Sequence, residues 1–514
     1  MSAFRRTLPA RADLEQQKKL AKELFAAYRR GDSEARERIR AALPDKERIV
    51  LADAQFALAR EYGFANWAAL REDIDRLTRE RLSPQERFKR AVRDRDAAEL
   101  RRLLPQREQL RGVVNAPLFG FDSPAIVSLS GTGDVELVDA LLALGADPNR
   151  KSDWWAGGFH ALYGADEAVA QRLLAAGAIP DACAAAHLDR LDLLEQMLAA
   201  DPSRVHERGG DGQTPLHFAR TRRVADLLIT RGADLDAKDV DHRSTPAQWM
   251  LGDADDGEQR RLDVASYLVE RGATVDIFLA AALGLTSRAH ALLQKDPSLL
   301  TLRTGQGEYA EKPPSSYHIY LWTIGSNMTP LQAASKFGQR ETLEAMQRFA
   351  TPEQRLLLAC HDGNRAEAQA IVREHPRVVE GLTSNDRRAL TDEAWAANAP
   401  AVELMLELGF DPAETSVTGP TAGTALHCAA WEGSVPCVAA ILRYPRGRAL
   451  IAMHDRVYNG TPLSWCCHGS RNSGYAKANH ADVARLLIEA GGRVDPDKMD
   501  GSEEVMAVLY ALLG

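Results

Sequence analysis

Apolar positions near the start of the chain recur every three or four places. Leu14, Leu20, Ala21, Leu24, Phe25 and Tyr28 form one such stripe, with Asp13 before it and Gly31 after it. That spacing gathers the apolar side chains on one helical face, while Asp caps the free N–H groups and Gly takes the left-handed turn that ends the helix. The same logic predicts a second helix from Asp32 to near Pro44 and a third through Ala54, Phe56 and Leu58 to Gly63. A fourth opens at Asn66-Trp67, with Leu70, Ile74 and Leu77 on one face. Residues 1–82 are therefore read as a small helical bundle.

From residue 84 the helical spacing continues, now punctuated by a recurring phrase. It starts at Thr214-Pro215-Leu216-His217, Thr245-Pro246-Ala247-Gln248, Thr329-Pro330-Leu331-Gln332, Thr424-Ala425-Leu426-His427 and Thr461-Pro462-Leu463-Ser464. Its copies close at Gly145, Gly177, Gly232, Gly272, Gly409 and Gly491. Thr caps a first helix, Pro occupies a first turn where no N–H is needed, and the later Gly accepts positive φ after a second helix. Other stretches keep the apolar skeleton without the phrase, among them Phe88–Val92, Ala182–His187, Phe278–Ala282 and Leu356–Cys360.

This phrase and its spacing resemble the ankyrin repeat, a helix pair of about 33 residues opening on T-P-L-H. The resemblance implies an all-α ankyrin-repeat solenoid of about 12 repeats over residues 84–496, in which His217 and His427 are structural. Ankyrin arrays need covered ends. Residues 1–82 and a closing helix in 497–514, through Val505, Met506, Val508, Leu509 and Leu512, supply those caps. The leader resembles the helical lead-in of some bacterial ankyrin-repeat proteins.

Composition fits close helix stacking, since 45% of residues are hydrophobic but only 6% aromatic, which leaves Ala, Leu and Val to build the interior. The net charge is −8, with 18 basic and 14 acidic residues in 1–82 against 46 and 58 in the remainder. Such a body lacks the clustered basic surface that nucleic acid requires. No apolar signal core and no membrane-length apolar run occur, so a cytoplasmic protein without membrane contact is expected. The six cysteines fall at helix-core positions without a CxxC pair and read as reduced packing residues. Cys466-Cys467-His468 is not read as a metal site, because adjacent helical side chains diverge by about 100°. No metal and no cofactor are expected.

Three insertions interrupt the repeats, at residues 253–258, 305–327 and 471–479. The second ends in an alternation of His318, Tyr320 and Trp322 with Ile319 and Leu321, which predicts a β-finger. Aligning the repeats on Thr or its equivalent puts Lys336, His361, Trp395, Trp431 and His468 in one slot on the inner helix. Trp395 and Trp431 are expected to be exposed there, and exposed tryptophans mark binding surfaces. Lys336, His361, Trp395 and Trp431, with Trp465, Tyr320 and Trp322, are the expected ligand contacts.

No GxSxG, HExxH, GxxxxGK[ST] or strand-borne GxGxxG motif is present. The primary reading is a groove that binds a protein partner or small-molecule ligand. The alternative is an enzyme without a nucleotide cofactor, using His468, His318, Glu432 and Asp455 for acid/base chemistry on a small aromatic or cyclic molecule. An open, shallow groove is expected of a partner-binding array and a deep cavity lined by Trp395, Trp431, Trp465 and His468 of an enzyme. If that wall is a functional site, the finger and residues 471–479 are expected to lean over it and roof a pocket at His468.

Overall fold

The computed structural model describes residues 4–513, apart from 10–11, 45, 47–48, 253–260, 416–422 and 494–500. The insertion at 253–258 thus lies outside the described residues. These residues are all-helical, with no strand and no helix long and apolar enough to cross a membrane. Contacts divide the chain into two compact units. One comprises Met1–Asp153 with His160–Ile179, the other Trp154–Phe159 with Pro180–Gly514.

In the first unit the predicted leader helices form as Leu14–Arg29, Ser33–Ala42, Leu51–Glu61 and Trp67–Arg81. They pack on one another around two small apolar clusters, one holding Leu24 and Ile39, the other Leu70 and Ile74. Shorter pairs follow, including Pro84–Arg93 with Ala97–Arg102 and Ala125–Ser130 with Val135–Leu144.

In the second unit helix pairs stack in register. The first helices Ala182–His187, Pro215–Phe218 and Pro246–Trp249 contact each other in series, as do the second helices Leu191–Ala200, Arg222–Thr230 and Leu262–Glu270. The same double ladder returns near the C-terminus. Ala389–Trp395, Ala425–Trp431 and Pro462–Asn472 form one rail, and Ala399–Glu407, Val435–Leu442 and His480–Glu489 the other. Helix Glu503–Leu513 packs against His480–Glu489 and buries Val505 and Leu509.

The punctuation works as its chemistry dictates. Thr329 Oγ1 accepts the Gln332 N–H while Gln332 Oε1 accepts the Thr329 N–H, so two orphan donors are satisfied at once. In other copies an imidazole does more. His217 Nδ1 accepts the Thr214 N–H at 3.0 Å, and its Nε2 reaches the Ser244 carbonyl of the following hairpin at 3.2 Å. His427 repeats this with Thr424 and with the carbonyls of Met453 and Gly460. Each therefore closes its own cap and ties it to the next repeat, the structural role expected of both. Burial pushes the His217 pKa down to about 3, so the ring is neutral. Gly232 and Gly409 follow their helices at φ 91° and 92°, where a side chain would be strained.

Residues 305–327 do not form the predicted β-finger. Their described structure is an isolated bridge between Lys312 and Ser315, a 3-10 turn at Gly307–Tyr309 and a short helix at Tyr320–Thr323. The buried residues Ile319, Tyr320, Thr323 and Ile324 obey helical spacing. A period-2 reading of so short a segment mistook that stripe for alternation. Residues 471–479 begin inside a helix, since Pro462–Asn472 runs through the first two of them.

Candidate functional site

The first helices of successive repeats end on a row of polar and aromatic side chains. Lys336 ends Pro330–Lys336, His361 ends Pro352–His361, Trp395 ends Ala389–Trp395 and Trp431 ends Ala425–Trp431. His468 lies in the corresponding part of Pro462–Asn472. His361 joins the row although its helix starts a turn earlier, because the cap at Thr351 adds residues at the far end.

Trp395 and Trp431 stack, with ring centroids 6.1 Å apart and planes inclined by 13°. His468 continues the row at 5.4 Å from Trp431 and is exposed. Both indoles are half-buried rather than exposed as expected, because Trp465 wedges edge-on against them at 6.3 and 6.0 Å. Trp465 itself is 5% exposed and donates its indole N–H to Asp455 Oδ2 at 2.9 Å. It braces the pair from behind, which corrects its reading as a ligand contact. Among the described residues the indole N–H groups of Trp395 and Trp431 meet no acceptor.

Beside Trp395 lies a cavity of about 420 Å³, lined by Lys336, His361, Asp392, Trp395 and, from the insertion and its end, Ile324, Gly325, Ser326 and Met328. Lys336 donates to the Ile324 carbonyl at 3.0 Å, and Asn327 donates to Asp392 at 2.5 Å. The insertion thus reaches this wall through its last residues. His361 Nδ1 sits 2.7 Å from Glu393 Oε1, and Asn398 bonds the other Glu393 oxygen and the His361 carbonyl. Burial alone would lower the His361 pKa, but the Glu393 carboxylate outweighs it and holds the imidazole above its usual range. Sequence reading missed Glu393, a carboxylate that is buried in one helix with Ala389, Leu390, Thr391 and Ala394.

Other expected site residues lie elsewhere. His318 and Tyr320 are buried with Tyr309 and Phe278, their rings 4.5–5.6 Å apart. Tyr320 donates its hydroxyl to Asp276. Burial pushes the His318 pKa down to about 3, with Arg243 adding to the effect, so it holds no exchangeable charge at neutral pH. Neither residue roofs His468, because the aromatic face of the insertion was drawn into the core instead. Trp322 stays 43% exposed and packs against His242 at 4.7 Å.

Asp455 accepts the N–H groups of Val457, Tyr458 and Gly460 as well as that of Trp465. Burial works against its charge, but these donors outweigh it and hold the carboxyl below its usual range. It builds a turn and has no lone pair to spare for acid/base chemistry. Glu432 accepts from Ser473 Oγ at 2.7 Å, and burial raises its pKa. It lies next to Trp431 and keeps a place at the wall.

Comparison with curated proteins finds no significant match. Residues 211–240 match the profile of the ankyrin repeat, which supports the ankyrin-repeat character inferred from the recurring phrase.

Proposed function

We propose that the stacked helix pairs form an ankyrin-repeat solenoid of about 12 units, capped by residues 1–82 and by 497–514, and that it is an interaction protein of the cytoplasm. Its concave side holds an extended segment of a protein partner against Trp395 and Trp431. The observation that carries this reading is the stacked, half-exposed tryptophan pair beside the cavity of about 420 Å³. Stacked indoles offer a rigid apolar face at little entropic cost, and their unsatisfied N–H groups can bond a backbone carbonyl. Lys336, Asp392 and the His361–Glu393 pair supply polar anchors at one end of that face, and His468 at the other.

The test is selection of peptides from a random library on the full chain, followed by affinity measurement with Trp395→Ala and Trp431→Ala. Peptides carrying an apolar or aromatic anchor should be enriched, and each substitution should weaken them by about tenfold or more, a hot-spot loss. A library that yields no binder, or binders indifferent to both substitutions, overturns the proposal.

A further inference from the structure

The hairpin turns at the two ends of the matched repeat hold a cluster that sequence spacing does not reveal. Asp211, Asp241 and His242 each offer one ligand atom, and these atoms lie within 4.8 Å of one another. Each residue is nine-tenths or more buried.

Each side chain is aimed by a partner outside the cluster. Trp154 Nε1 donates to Asp211 Oδ1 at 2.9 Å, and the Ser316 N–H donates to Asp241 Oδ1 at 2.9 Å. His242 Nδ1 lies 2.8 Å from the Tyr317 carbonyl, a bond that requires the proton on Nδ1. What remains is one oxygen from each carboxylate and the Nε2 lone pair, and among the described residues no hydrogen bond reaches any of the three. Nε2 stands 3.9 Å from Asp211 Oδ2 and 3.7 Å from Asp241 Oδ2. Three acceptors facing each other in a largely buried site repel, and a cation between them would relieve that repulsion.

Asp239 does not belong to the ligand set, because its two oxygens take the N–H groups of Ser244 and His242. Its charge nevertheless deepens the negative potential. The rings of Trp249 and Trp322 pack on His242 at 5.2 and 4.7 Å and thin the water around it. A histidine whose second nitrogen bonds a backbone carbonyl, beside carboxylates that are themselves hydrogen-bonded, is the outer-shell arrangement of metal ligands.

We propose that Asp211 Oδ2, Asp241 Oδ2 and His242 Nε2 bind a divalent transition ion, Zn²⁺ in the first instance. The imidazole ligand disfavours Mg²⁺ and Ca²⁺, which take oxygen, and three protein ligands leave room for a water to complete a tetrahedron. The ion joins three backbone segments that the sequence keeps far apart: the turn at Asp211, the turn at Asp241-His242, and the insertion through Ser316 and Tyr317. Its role is that of a clamp on the hairpin side of the repeats, separate from the tryptophan wall.

The full chain, stripped with a chelator and dialysed, is titrated with Zn²⁺ alone in competition with a chromophoric chelator. One equivalent should bind with a Kd below about 1 μM. Asp241→Asn and His242→Gln should each weaken binding by about tenfold or more, while His361→Ala leaves it unchanged. Circular dichroism establishes that the variants are folded. A second measurement needs no variant: Co²⁺ loaded into the wild-type chain should give the visible d–d bands of a four-coordinate site without the intense near-ultraviolet band of a thiolate ligand. Substoichiometric uptake, a Kd unmoved in the folded variants, or a thiolate band that places the ion at the cysteines overturns the proposal. The first of these outcomes would mean that a proton on Nε2 satisfies the cluster instead.

Discussion

Two aromatic-rich regions of the second unit end in opposite states. Around Phe278, the rings of Tyr309, His318 and Tyr320 meet edge-on or tilted and are buried. At the other, Trp395 and Trp431 lie nearly parallel and stay half-exposed. The difference lies in where each aromatic stands relative to the repeat. The tryptophans occupy the last position of equivalent first helices, that of Trp431 capped by Thr424 and His427, so the register of the repeat fixes their direction before any packing choice is made. The insertion has no such register. Its rings turned toward whatever apolar surface lay nearest, and Tyr320 found an internal acceptor in Asp276 for the one polar atom that burial would have stranded.

This contrast is broken most severely by Tyr320→Ala. Removing a fully buried ring and leaving Asp276 without its hydroxyl donor should cost about 3–5 kcal/mol, as large aromatic truncations do. Urea denaturation measures it, and a loss below about 1 kcal/mol would mean that the insertion is not part of the core. Gly469→Ala comes next. A Cβ at that position would sit 2.1 Å from the Trp431 carbonyl oxygen, so the two helices must separate. The expected cost is about 1–3 kcal/mol, with a change in the tryptophan fluorescence that reports the displaced stack.

Trp431→Ala sharpens the same comparison from the other side. A half-buried ring should cost about 1–2 kcal/mol, well under the buried case, while peptide binding is lost. A thermal shift as large as that of Tyr320→Ala would place Trp431 in the core and end its reading as a contact surface.

The smallest effect is a pH dependence at the wall. Glu393 raises the folded-state pKa of His361 above that of the unfolded chain. The ion pair therefore stabilises fully below the unfolded value of about 6.5 and its contribution fades as pH rises through the folded value. Glu393→Gln should destabilise the protein more at pH 6 than at pH 9, as read from the two urea midpoints. An equal loss at both pH values would show that Glu393 acts as a hydrogen-bond acceptor alone.

Sequence by itself determined the helical repeat and its punctuation. Thr at the cap, Pro in the first turn and Gly after the second helix are local requirements, met within a few residues of chain, and so they can be read from spacing. The row of Lys336, His361, Trp395, Trp431 and His468 followed from the same register. Only the tertiary structure decided what surrounds that row. Trp465 and Asp455 became a brace, Glu393 became the partner of His361, and His318 and Tyr320 left the wall for the core. It also brought Asp241 and His242 under the insertion, 75 residues away along the chain, with Asp211 beside them. These outcomes depend on contacts between separate segments, where the desolvation of each polar atom and the shape of each apolar face are set by neighbours that no local pattern encodes.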